Sequence, residues 1–348
     1  MTASIRDVAR EAGVSVGTVS NVLNRPDRVA APTVTRVADA IERLGFVRND
    51  AARQLRAGRS HSFGLVVLDT RNPFFMDVAH GAQSRALDDG YTVLMGGSDD
   101  SHEREATLLE MFEEHRVAGV LITPVQTDLR QLGTLRDMGI PVVLVDRGSN
   151  DRSFPSVSVD DVEGGRIAAG HLVEIGRRRI AFVGGPQSIE QVSDRLNGAR
   201  AVIAEQTGVA LEVFDTQALS VLEGRRIGEQ IVALAPDRRP DAIFAANDLL
   251  ALGVLQALVM TGSLRVPEDI ALIGYDDIDF TRSAVVPITS VRQPAFEIGS
   301  TAVELLLREA GAGSGSGAGS VVKSPLAGAR EQIVFQPELV VRASTGGL

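Results

Sequence analysis

Between positions 5 and 44, apolar residues recur with the 3.6-residue period of helices; beyond position 60 they come in short unbroken runs. In the first stretch Ile5, Val8, Ala9 and Ala12 share one helical face, Val19, Val22 and Leu23 a second, and Val37, Ala40, Ile41 and Leu44 a third. Polar and glycine residues bound each segment. Ser4 can cap the first helix, Asp7 sits near its positive end, and Gly13 allows the sharp turn that stops it. Ser15 caps the second helix; the third, roughly 32 to 44, starts at Pro32 and stops at Gly45. Val16, Gly17, Ser20, Asn21 and Asn24 lie opposite the second helix's apolar face, where they are free to meet another molecule. Two short helices joined by a tight turn are a common way to enter a DNA groove.

After Ser60 the runs "FGLVVLD", "YTVLMGG", "AGVLITP" and "PVVLVDR" read as strands separated by amphipathic segments of helix length. "RRIAFVGG", "AIFAAND" and "IALIGYDD" repeat the arrangement in the second half. Such alternation predicts right-handed parallel units in two doubly wound sheets, with late crossings between lobes near 290–294 and again near 320–330. The Gly-, Ala- and Ser-rich stretch at 310–320 predicts a flexible elongated loop.

Ligands of open parallel sheets sit beyond the carboxyl ends of the strands. Those ends carry Asp69 and the following "NPFF", then Asp146-Arg147, Arg195, Asn247-Asp248 and Tyr275-Asp276. Carboxylates and an amide can hold vicinal hydroxyls, arginine can donate a fork, and Phe74 or Phe75 can cover a sugar ring. Each has a plainer reading. One of the two phenylalanines can pack at a lobe or dimer interface, Asp248 can cap the following helix, Asp277 can be a turn residue, and Arg195 can form an internal ion pair.

Charge separates the two regions. Of 348 residues, 35 are basic, all arginine but Lys323, and the net charge is −10. Residues 1–60 hold ten arginines against six acids, or +4, which leaves −14 on the remainder. The basic head can approach phosphates while the acidic body is repelled, which orients an encounter with nucleic acid. Without cysteine, neither a disulfide framework nor a thiolate metal site is possible. The N-terminus reads as no secretory signal, and no apolar run approaches the roughly 20 residues of a bilayer span, so a cytoplasmic protein with no membrane partner is expected, on the nucleoid when bound to DNA.

The segment "IRDVAREAGVSVGTVSNVLNRPDRVAAPTVTRVADAIERLGFVRNDAARQLRAGRS" closely resembles the DNA-binding head of the lactose-repressor (LacI/GalR) family, and the resemblance continues through essentially the whole chain. It implies a small all-α helix-turn-helix head, residues 1–48, a hinge, 49–59, and an α/β two-lobed periplasmic-binding-protein-like core, 60–348. The lobes would comprise about 60–160 plus 292–323 and about 161–290 plus 324–342. Implied base readers are Val16, Gly17 and Asn21, with Ser15, Thr18, Ser20 and Asn24 toward phosphates and Ser4 also among the DNA-binding residues. In the hinge, Asn49, Ala52, Arg53 and Arg56 would meet the duplex and Leu55 would wedge between base steps. The implied effector residues are Asp69, Phe74, Phe75, Asp146, Arg195, Leu219, Asn247 and Asp276.

Two departures stand out. Ala30 occupies a cap position where the family often has Ser, and Leu219 stands where several relatives carry a stacking aromatic, which leaves effector identity open. The resemblance implies a homodimer, since no leucine heptad follows "VFQPELVVRAST" to make a tetramer. It also implies a repressor of double-stranded operator DNA controlled by a small-molecule carbohydrate effector, with no cofactor. Alternatives are a corepressed regulator that binds a purine or answers a phosphocarrier protein and, in another class, an α/β enzyme or a free solute-binding protein. Against an enzyme, no G-x-G-x-x-G follows the first strand, no P-loop is present, and the five histidines have no metal-ligand spacing.

Overall fold

The computed structural model describes residues 3–46, 60–125, 129–148, 153–260, 262, 264–312 and 330–347. Residues Met1–Arg59 form one compact unit and Ser60–Leu348 another. The hinge candidates Asn49, Ala52, Arg53, Leu55 and Arg56 lie outside the described residues, as do the side chain of Asn24 and residues 313–320 of the Gly/Ser stretch.

Among its described residues the head has three helices, α1 (Ile5–Glu11), α2 (Val16–Asn24) and α3 (Ala31–Leu44), with a 3-10 turn at Pro26–Arg28. Val8, Ala9, Ala12, Val19, Val22, Val37 and Ala40 form its core, bordered by Ile5, Val14, Leu23, Ile41 and Leu44. Ser4 and Asp7 make a reciprocal capping box on α1, and Gly13 turns the chain at φ +65°. Helix α3 starts on Ala30 without a side-chain cap and ends on left-handed Gly45.

In the second unit, the first lobe carries β1 (Ser62–Val67), α4 (Pro73–Asp88), β2 (Thr92–Gly97), α5 (His102–Glu114), β3 (Gly119–Ile122), α6 (Arg130–Asp137), β4 (Val142–Val145) and β5 (Ser156–Val159). The chain then crosses to α7 (Asp161–Glu174), β6 (Arg179–Val183), α8 (Glu190–Ala204), β7 (Ala210–Phe214), α9 (Val221–Ala233), β8 (Ala242–Ala245), α10 (Asp248–Met260), β9 (Ala271–Asp276), α11 (Asp279–Arg282) and β10 (Thr289–Arg292). Helix α12 (Ala295–Ala312) returns to the first lobe, followed by β11 (Gln332–Phe335), β12 (Glu338–Val340) and a 3-10 turn at Ala343–Thr345. The sheets run β11-β5-β4-β3-β1-β2 and β12-β10-β9-β8-β6-β7. Among the described residues every strand pairing is parallel except β10 with β12. Strand order reverses beside β1 in one lobe and beside β6 in the other, the switch points where such sheets open a crevice.

The last crossing falls later than expected. Gln332–Phe335 pairs with Ser156–Val159 of the first sheet, so the chain changes lobes at residues 336–337 and not near 320–330. Ser156 accounts for part of this choice, since its hydroxyl donates to Gln332 at 2.6 Å.

Three helix pairs are locked by reciprocal glycines. A Cβ on Gly81 of α4 would lie 2.0 Å from the Phe296 oxygen, and one on Gly299 of α12 would lie 1.9 Å from the Val78 oxygen. Gly165 and Gly198 do the same for α7 and α8, and Gly224 and Gly253 for α9 and α10. Backbones this close leave no room to slide, so each pair acts as one body.

Candidate nucleic-acid interface and interlobe ligand site

On the head, Ser15 Oγ accepts the Thr18 amide at 3.0 Å and satisfies the otherwise orphaned start of α2. This cap aims the first turn of α2 outward. Ser15, Val16, Gly17 and Asn21 are exposed, Val16 at 39%, while Thr18 and Ser20 are half-buried. An exposed valine beside a glycine on the polar face leaves an apolar spot approachable at close range, the chemistry needed to meet a thymine methyl. Ser4 is exposed and engaged in its own capping box.

The second unit gathers most of the predicted strand-end residues at the lobe boundary. Arg195, on α8, is 4% exposed; its Nε donates to Asp161 at 2.7 Å and a terminal nitrogen donates to the Ala246 oxygen at 2.8 Å. Its guanidinium lies 3.6 Å over the Tyr275 ring, and Asp276 is 3.9 Å away. The internal ion pair is therefore real, and it holds the arginine among three carboxylates. Burial opposes the charge on Arg195, yet Asp161, Tyr275, Asp276 and Asp146 outweigh it and push its pKa above the ordinary guanidinium value.

Asp276 accepts Asn72 Nδ2 at 3.3 Å and Gln293 Nε2 at 2.7 Å. Burial raises its pKa to about 6, against the pull of Arg195 and the two amides. Burial, followed by Asp161, pushes Asp146 well above the carboxylate range, with Arg195 opposing. Both aspartates adopt left-handed backbone, Asp276 at φ +103° and Asp146 at φ +57°. Strain of this kind gathers at functional sites and needs support from its surroundings. Asp277, also left-handed, supplies such support: one oxygen accepts Arg342 at 2.5 Å and the other Arg292 at 2.8 Å.

The other candidates divide. Asn247, 1% exposed, caps α10 by accepting the Leu250 amide at 3.0 Å. The cap is therefore Asn247 and not Asp248, whose carboxylate instead binds the Ile278 amide and the Ser290 hydroxyl at 2.9 and 2.7 Å. Gly274 makes room for it, since a Cβ there would lie 2.0 Å from Asp248 Oδ1. Phe74 and Phe75 are both buried in the first lobe's core, edge to face at 5.1 Å. Phe74 also lines a pocket of about 430 Å³ together with Asp276, Gln293, Pro294 and Phe296. Asp69 is bound by the main chain and side chain of Arg71, and Leu219 packs on the second lobe's core.

Sequence reasoning missed Asn72, Asp161, Gln191 and Gln293. The Asn-Pro pair in "NPFF" was a legible cap signal; for Gln191 and Gln293 no local signal existed, because their partners lie 45 and 17 residues away.

Among the described residues, six buried side-chain atoms lack a hydrogen-bond partner, and four of them stand just past strand ends. These are Thr123 Oγ1, Asp146 Oδ1, Asn247 Nδ2 and Gln293 Oε1, following β3, β4, β8 and β10. Buried polar atoms are rarely left unpaired, and these four, each just past the carboxyl end of a strand, have bonding capacity that a polar ligand could use. Among the described residues no cluster of His, Asp and Glu suits a metal ion, and no helix is long and apolar enough to cross a membrane.

Known proteins share this arrangement. Residues 4–49 match the lacI family of bacterial regulatory proteins, and residues 169–345 match a periplasmic binding protein-like domain. The chain is 35% identical to the ribose operon repressor of Bacillus subtilis (strain 168) over 325 residues, 93% of this chain and 94% of that protein. It is also 35% identical to the transcriptional repressor PurR of Aliivibrio fischeri (strain ATCC 700601 / ES114) over 309 residues, 88% of this chain and 91% of that one. The lac repressor dimer bound to operator and the anti-inducer ONPF is similar at TM-score 0.83 and 25% identity, covering 99% of both chains. A LacI family regulator from Enterococcus faecium with bound ribose gives TM-score 0.70 at 26% identity, covering 82% of this chain and 99% of that one. A helix-turn-helix head and a two-lobed core, matched along nearly the whole length by such relatives, make this chain a member of the lacI family of bacterial regulatory proteins.

Proposed function

We propose that the protein is a homodimeric repressor whose two heads read a pseudo-palindromic operator, and whose grip on DNA is controlled by a sugar bound between the lobes. The four unpartnered polar atoms at the strand ends carry the effector half of this reading. They combine acceptors (Asp146, Gln293), a donor (Asn247) and a hydroxyl that is both (Thr123), which suits the hydroxyls of a neutral polyol. Relatives named as a ribose operon repressor and as a ribose-bound regulator support the sugar, and the exposed Val16 and Asn21 on α2 support base reading. Leu55 and its neighbouring arginines are read as the minor-groove hinge. Because the relatives are repressors, the protein is read as a regulator and not as a catalyst.

Thermal shift against ribose, cellobiose, other sugars, polyols and nucleobases identifies the ligand, with stabilisation by a sugar expected; stabilisation by a nucleobase alone would reject the sugar. A mobility shift with the DNA beside the protein's own gene tests the head. Salt-sensitive binding is expected, and a chain lacking residues 1–59 that still binds would reject it.

A further inference from the structure

Two amides reach the Asp276 carboxylate, and each stands at the leading end of a helix in the first lobe. Asn72 is the N-cap of α4: its Oδ1 accepts the Phe74 amide at 3.1 Å while its Nδ2 donates across the lobes to Asp276. Gln293 stands two residues before α12 and donates to the other Asp276 oxygen. Those two helices are the pair locked by Gly81 and Gly299. One carboxylate of the second lobe therefore holds both leading ends of a body that cannot slip internally.

We infer that Asn72 and Gln293 are positioning residues that tie the α4–α12 pair to Asp276, so that loss of either amide loosens the starts of both helices together. This rests on reading Asp276 as a ligand-contacting carboxylate. A carboxylate has about four lone-pair sites. Each oxygen already carries one of these amides and Arg195 stands 3.9 Å from one of them, so hydroxyls arriving at Asp276 crowd Asn72 and Gln293 at oxygens these amides already hold. Bodies packed this tightly respond as a unit and do not deform gradually. Occupancy of the cleft thereby becomes a concerted release of two helices in the other lobe.

Hydrogen exchange followed by mass spectrometry on the full chain tests the tie. Asn72→Ser keeps a capping oxygen for α4 but is too short to bridge the lobes, and Gln293→Met keeps the shape without the amide. Each substitution is expected to speed exchange about tenfold in the first turns of both α4 and α12, the scale of one lost hydrogen bond to a charged group. A purely local role would loosen only α4 in Asn72→Ser and only the start of α12 in Gln293→Met; that result, or no change in either, overturns the tie. Wild-type protein with saturating D-ribose should show the same paired release. If both variants release the pair and ribose stabilises the protein in thermal shift without releasing it, the tie stands but release by cleft occupancy is overturned; ribose that gives neither effect is rejected as the ligand.

Discussion

Gln191 of α8 donates its side-chain amide across the lobes to both the main-chain oxygen and the carboxylate of Asp146, at 2.7 and 3.0 Å. The adjacent residues repeat the contact as an ion pair, Arg147 to Glu190 at 2.7 Å. Two neighbours on one lobe thus clasp two neighbours on the other, close to the unpartnered Asp146 Oδ1. Removing the Gln191 amide by Gln191→Ala should let the lobes separate. Small-angle scattering of ligand-free protein should show a larger radius of gyration, and ligand affinity should fall about tenfold. Unchanged scattering and affinity would show that the clasp does not hold the lobes.

Arg195 supports the fold as well as the site. Arg195→Met leaves Asp161 buried beside Asp146 and Asp276 with no cation, a loss of about 3–5 kcal/mol for a broken buried pair. Calorimetry should show a melting temperature lower by roughly ten degrees. Replacing both partners, Arg195→Met with Asp161→Leu, should recover most of it, because no unpaired charge remains. A single variant that melts like the parent would contradict the buried network.

Asp276 gives stability a definite pH slope. Its folded pKa, about 6, lies above the unfolded value of 3.8, so between those values the folded state binds more protons. Its contribution to stability therefore falls as pH rises from about 4 to about 6 and is least favourable above that window. Asp276→Asn removes the slope. In denaturant unfolding, the wild type should gain on this variant between pH 7 and pH 5; a constant gap would contradict the raised pKa.

In the head, folding and reading fall to adjacent residues. Ser15→Ala removes the α2 cap and should cost about 1 kcal/mol of stability. Val16→Glu changes an exposed position and should shift stability by no more than about 0.5 kcal/mol. Its added charge toward phosphates should nevertheless abolish binding to the promoter fragment. A Val16→Glu chain that still binds would place the reading surface elsewhere.

Much of the fold was legible in the chain. Helical periodicity marked α1, α2 and α3, and the apolar runs marked seven strands of the two sheets. Strands β5, β7, β10, β11 and β12 escaped notice. The Ser156–Val159 strand alternates buried serines with valines, and Gln332–Phe335 and Glu338–Val340 are edge strands whose apolar runs are only three residues long. Asp69, Asp146, Asn247 and Asp276 were legible as strand-end polar residues, since parallel sheets leave only those ends for a ligand, whereas Arg195 reaches the cleft from α8.

The sequence by itself determined the helix-turn-helix head, the alternating strands and helices of two lobes, and the basic front on an acidic body, because period, capping and charge are local properties. Tertiary structure alone decided which lobe takes Gln332–Phe335, that Arg195 pairs with Asp161, and that Asn72, Gln191 and Gln293 hold the cleft carboxylates. Those outcomes depend on hydrogen bonds between residues as much as 204 positions apart, and such partners exist only once the lobes have packed.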